Sequence, residues 1–123
     1  MQNTRSRITE NIQYYRENND WHGVIEEMEK LFALSGDPHI RVRIGDARRK
    51  LNRRRDAIRE YIFAADLFAH EGSLAKALAQ YSLVLRLDSS NENARLMREL
   101  MTRRLGARDA KPASMGHRAP QPA

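Results

Sequence analysis

Apolar residues recur at intervals of three and four along most of the chain, which is the spacing of one face of an α-helix. The densest stretch is 56–88. In its first half Ala57, Ile58, Tyr61, Ile62, Ala64, Ala65 and Phe68 cover an arc wider than the single stripe of a surface helix, so that helix is expected to lie between two neighbours. In its second half Leu74, Ala77, Leu78, Tyr81, Val84 and Leu85 form one face that must fold back on the first. Gly72 suits the left-handed position past a helix end, and Ser73 suits the cap of the next helix. Such a hairpin cannot bury its apolar face alone.

The flanking sequence supplies more helices. Residues 5–18 carry Ile8, Ile12 and Tyr15 on one face, and Asn18, Asn19 and Asp20 interrupt them. Residues 21–35 place Trp21, Val24, Ile25, Met28, Leu31 and Phe32 inward and Glu26, Glu27, Glu29 and Lys30 outward, ending at Gly36. Asp37 and Pro38 read as a cap and a first-turn proline. Residues 39–51 follow, with Ile40, Ile44, Ala47 and Leu51 inward and Gly45 allowing a close helix approach; Asn52 breaks them. Ser89 and Glu92 have capping-box spacing ahead of a last helix at 91–105, which uses Ala94, Met97, Leu100 and Met101 and stops at Gly106. The expected architecture is all-α, an antiparallel array of about six helices. It forms one domain over 1–105, followed by a disordered tail at 106–123 that holds three of the four prolines and little to bury.

Composition narrows the function classes. There is no cysteine, which excludes disulfides, thiolate nucleophiles and cysteine metal sites. No window approaches the roughly 18 apolar residues of a membrane span, and the first residues lack the apolar core of a signal peptide, so the expected location is cytoplasmic. His22, His39, His70 and His117 are scattered, with no pair at the three- or four-residue spacing that sets two ligands on one helical turn. Phosphate-binding glycine loops, nucleophile elbows and zinc-binding His-Glu motifs are missing. Carboxylate pairs such as Glu26 and Glu29 fall on an outward face, where nothing prepares a general acid. No catalytic residue, cofactor or metal is expected, and the chain is read as a non-enzyme.

The net charge is +6 and is unevenly spread. Between 41 and 59 stand Arg41, Arg43, Arg48, Arg49, Lys50, Arg53, Arg54, Arg55 and Arg59, against Asp46 and Asp56 alone. Arg48, Arg49, Lys50, Arg53, Arg54 and Arg55 gather at one interhelical turn and predict a strongly positive corner. That corner suits an acidic protein segment, nucleic-acid phosphates or an anionic membrane surface. No stacking platform of aromatic residues accompanies the charge, so nucleic acid is the less favoured partner.

The alternation of small and large apolar residues resembles the tetratricopeptide repeat, a helical hairpin of about 34 residues that stacks into a superhelix. The match at 58–91 places Tyr61, Ala65 and Phe68 in the first helix, Gly72 at the turn, and Ala77, Tyr81 and Val84 in the second, with Ser89 where the family has a closing proline. A match at 38–71 uses Ile44 and Gly45, Asn52 at the turn, then Ala57, Tyr61 and Ala64. A degenerate one at 5–38 has Asn19 at the turn, then Val24 and Met28. Asn19 and Asn52 are 33 positions apart, but Asn52 and Gly72 only 20, so the helix at 54–71 must belong to two hairpins at once. A compact array is therefore expected in place of a regular three-repeat superhelix.

The resemblance implies a groove that binds a peptide or helix, lined by Thr9, Gln13 and Arg16, by Val42, Asp46 and Arg49, by Ile62 and Asp66, and by Leu96. The lysine and asparagine clamp with which some family members hold a terminal carboxylate is replaced by Val42 and Asp46 and is not implied. The function so implied is an adaptor or scaffold that binds another protein, with the basic corner steering an acidic segment. Two alternatives are a basic module for nucleic acid or an anionic membrane surface, and a structural subunit that self-associates through an incompletely covered end helix at Met97, Leu100 and Met101.

Overall fold

A computed structural model describes residues 3–118, with side chains described as far as Arg108. The described residues form six helices and no strand: α1 (Thr4–Glu17), α2 (Trp21–Ser35), α3 (Pro38–Lys50), α4 (Arg54–His70), α5 (Leu74–Leu87) and α6 (Glu92–Arg118). Each packs on its neighbours in chain order. The all-α hairpin array expected from the apolar spacing is the observed architecture.

Four helices begin on a side chain that accepts a free first-turn N–H. Asn3 caps α1 through Ser6 N, Asp20 caps α2 through Gly23 N, Asp37 caps α3 through His39 N, and Asn91 caps α6 through Ala94 N. Two expected caps are corrected. Ser73 precedes α5 without a side-chain cap bond. The Ser89–Glu92 box does not form, because Asn91 takes the capping position and Asp88 accepts from Ser90 instead. Helix α6 also continues through Gly106 to Arg118 instead of stopping at Leu105. Gly106 is not in the left-handed conformation that ends helices, and one interior glycine costs a helix only about 1 kcal/mol relative to alanine. The expected tail thus begins inside this helix, and residues 119–123 lie outside the described residues.

Three turns share one geometry. Asn19, Asn52 and Gly72 have φ of 56°, 59° and 82°. In each, the next residue's N–H reaches back five residues: Asp20 to the Tyr15 carbonyl, Arg53 to Arg48 and Ser73 to Phe68, at 2.8, 2.9 and 2.8 Å. This double-bonded helix end satisfies the last carbonyls and reverses the chain. The turns join α1 to α2, α3 to α4 and α4 to α5, so α4 is the second helix of one hairpin and the first of the next. Its buried residues Ala57, Ile58, Tyr61, Ala64, Ala65 and Phe68 occupy the wide arc that such a position needs.

The core divides in two. Ile8, Ile12, Val24, Ile25, Met28, Ile40, Ile44 and Ala47 pack together from α1 to α3. The buried residues of α4 and α5 pack with Ala94 and Met101 of α6. The joint between the clusters lies where α3 meets α4, and it combines a close approach with buried charge. A Cβ at Gly45 would sit 2.6 Å from the Tyr61 ring. Alongside, Glu60 is buried and accepts from Arg41 at 3.1 Å and Arg48 at 3.0 Å. Arg41 also pairs with Glu29 of α2 at 2.7 Å, and its guanidinium lies 4.2 Å from the Phe32 ring centroid and 4.7 Å from that of Phe63. Glu27, expected on the outward face of α2, is buried as well. Asn11 at 2.9 Å and Lys30 at 2.6 Å supply the partners that make its burial tolerable.

Gly45→Ala is expected to destabilise the protein by about 1 to 3 kcal/mol despite alanine's better helix propensity, because the fully buried Tyr61 ring cannot move aside. Gly23→Ala meets the base of the Tyr15 ring, which packs on the α1–α3 cluster but is only half-buried, and should destabilise in the same direction by a smaller amount. Glu60→Ala, which leaves Arg48 without its carboxylate and Arg41 with Glu29 alone, should cost about 1 to 3 kcal/mol. Denaturant midpoints at neutral pH measure all three.

Candidate functional site

The basic run of the sequence is divided by the fold. Arg41 and Arg48 turn inward to Glu60, and Arg53 is held by Asp56 at 3.1 Å. Arg49, Lys50, Arg54 and Arg55 remain exposed. The predicted corner therefore keeps Arg49, Lys50, Arg54 and Arg55 at the surface without an ion pair among the described residues, Arg49 bonding the Tyr61 hydroxyl, while Arg48 and Arg53 are engaged.

These exposed cations border a trough made of three adjoining hollows. The first, about 360 Å³, lies between the end of α1, the start of α2 and the middle of α3, and is lined by Arg16, Trp21, Val24, Met28, Arg43, Asp46, Ala47 and Lys50. Asp46 and Lys50 also line the second, which adds Arg49. Arg49 then lines the third, of about 420 Å³, with Asn52, Arg54 and Leu87. Five cations thus line the three hollows, and Asp46 is the one acid among the lining residues. Among the described residues no carboxylate lies within ion-pair distance of Arg16, Arg43, Arg49, Lys50 or Arg54. Asp37 acts on Arg43, and Asp88 on Arg54, only through longer-range charge. The Lys50 ammonium lies 5.6 Å from the Trp21 ring centroid.

Asp46 is fixed in the trough by the fold. Its Oδ1 accepts from the Tyr61 hydroxyl at 2.5 Å, and 20 residues later Asp66 accepts from Tyr81 at the same distance. Both pairs link the first helix of a hairpin to the second at the same register. Burial, and then the bond to the Asp46 carboxylate, push the Tyr61 phenol up to about 12, and the same two causes raise Tyr81.

The groove residues implied by the family resemblance are only partly brought together. Arg16, Asp46 and Arg49 line the trough. Val42 and Ile62 are half-buried against the α4–α6 apolar cluster, so they serve packing. Thr9 bonds the Arg5 carbonyl and Gln13 bonds Glu17 along α1. Asp66 is exposed on α4 and committed to Tyr81, and Leu96 is exposed on α6. Trp21 and Arg43 were not among the expected site residues. Trp21 falls on the apolar stripe of α2 and looks like core, but at the helix start its ring is only half-buried and forms a wall of the first hollow.

Among the described residues no group of three or more His, Cys, Asp or Glu is arranged to hold a metal, and no helix is long and apolar enough to cross a membrane. No known protein-family model matches the chain, and no curated protein matches it significantly.

The raised tyrosines set an alkaline limit. A phenol whose folded pKa exceeds its unfolded value of about 10 contributes stability that is complete below pH 10 and lost as pH rises toward 12. Unfolding free energy should fall over that window, by at most about 1.4 kcal/mol per pH unit for Tyr61. A Tyr61→Phe, Tyr81→Phe double variant should show a shallower fall when urea midpoints are followed from pH 9 upward.

Proposed function

We propose that the chain is a tetratricopeptide-like adaptor or scaffold module that works in the cytoplasm and binds another protein along the trough. The observation that carries this reading is that Arg16, Arg43, Arg49, Lys50 and Arg54 line adjoining hollows without an ion-pair partner among the described residues. Like charges held together at a surface favour an anionic visitor and raise its association rate. The repeated turn and the twice-used Asp-to-Tyr bond support a hairpin-repeat scaffold, whose stacking creates grooves for extended or helical partner segments. The chemistry of the trough asks for no reaction at the partner. Shape is supplied by the hollows, and steering by the cations around them.

The same cations favour one second reading, a module for nucleic acid or an anionic membrane surface. The two separate in a pull-down from native lysate after nuclease treatment, at low and high salt, comparing the wild type with a variant carrying Arg43→Glu, Lys50→Glu and Arg54→Glu. The adaptor reading expects a discrete protein partner that survives nuclease and is lost from the variant. Material bound only before nuclease treatment would replace it with the phosphate reading.

A further inference from the structure

The first hollow differs from the rest of the trough in being walled by an aromatic ring, the half-buried Trp21. Val24 and Met28 are fully or nearly fully buried beneath it, Ala47 closes it from α3, and Trp21 stands at its side. Around this interior the rim is cationic, with Arg16, Arg43 and Lys50. The single acid of the rim, Asp46, has its Oδ1 taken by the Tyr61 hydroxyl. The hollow has a volume of about 360 Å³ and opens to solvent.

We infer that the segment bound by the trough is acidic and carries one large apolar side chain, which enters the hollow beside Trp21 while flanking carboxylates meet Arg16, Arg43 and Lys50. This deepens the adaptor reading and rests on it. A purely acidic segment would leave the half-buried Trp21 ring to water, and a purely apolar one would leave three cations unneutralised. Each half of the motif therefore answers a different part of the surface. Burying a large apolar side chain gains roughly tenfold or more in affinity. Charge neutralisation adds orientation and a faster encounter. Nucleic acid fits less well, because binding a strand uses successive aromatic faces for its bases, and Trp21 is the only aromatic side chain lining the hollow.

Trp21 is the protein's only tryptophan, so its emission reports directly on this hollow. The test titrates the full chain with short synthetic peptides free of aromatic residues: glutamate-rich with one central Leu, the same with Ser for Leu, and the Leu peptide with Gln for each Glu. Oligothymidylate is the fourth probe, and peptide anisotropy is recorded in parallel. The expected result is a saturable change in Trp21 emission with the acidic Leu peptide, about tenfold tighter than with either control. That change should disappear in Arg43→Glu, Lys50→Glu, whose substitutions lie at exposed positions and should leave the helical circular dichroism intact. Equal binding of the Ser or Gln peptide, or binding seen by anisotropy with no change at Trp21, would overturn the inference and leave the adaptor reading standing. A response to oligothymidylate alone, weakening steeply with salt, would overturn both. No response to any probe overturns the inference, and the adaptor reading then rests on the nuclease-resistant pull-down.

Discussion

The approach of α3 to α4 is the constraint on which the array depends. Two apolar clusters, one built on α1 to α3 and one on α4 to α6, must be held as a unit, and the joint combines apolar contacts, such as Val42 on the second cluster and the Phe32 and Phe63 rings, with buried charge. Gly45 lets the Tyr61 ring lie against the α3 backbone. From that position the Tyr61 hydroxyl reaches Asp46, and one residue earlier Glu60 lies between Arg41 and Arg48. Arg41 extends the joint to α2 through Glu29 and the Phe32 ring. A buried ionic joint of this kind adds less net stability than apolar packing would, but it is costly to break and accepts few alternative registers.

The same joint organises the trough. By drawing Arg41 and Arg48 inward, it sorts the cations of α3 into a structural set and a surface set. By binding Asp46, it fixes the one acid among the trough's lining residues in place, where it offsets one of the five cations. The exposed Arg53–Asp56 pair contributes little to stability by comparison; its effect is to remove one cation from the corner. What remains is a band of positive charge around a hollow walled by the Trp21 ring. Both follow from how α1, α2 and α3 meet at the end of the first hairpin.

Much of this is legible in the chain because helix amphipathicity is local. Ala57, Ile58, Tyr61, Ala64, Ala65 and Phe68 declare a doubly buried helix by their arc alone. The 20-residue interval between Asn52 and Gly72 requires one helix to serve two hairpins. The readings that changed are those in which a side chain chooses among partners. Ser73 has the right chemistry for a cap and does not cap. Ser89 yields to Asn91, and Glu27 looks like a surface charge until Asn11 arrives from α1. Trp21 carries the same apolar signature as its core neighbours, and only its place at the helix start leaves it open to solvent.

The sequence by itself determined the six helices, the turns at Asn19, Asn52 and Gly72, and the concentration of positive charge between 41 and 59. These depend on residues within a turn or two of one another, where backbone geometry and apolar spacing leave few choices. Tertiary structure decided which cations are paired and which face solvent, and it assembled Arg16, Trp21, Arg43, Asp46 and Lys50 into one hollow. Those outcomes rest on contacts between helices, such as that of Glu60 with arginines 12 and 19 residues away. A linear charge pattern carries no record of such contacts, because burial and pairing are set by whatever helix packs opposite.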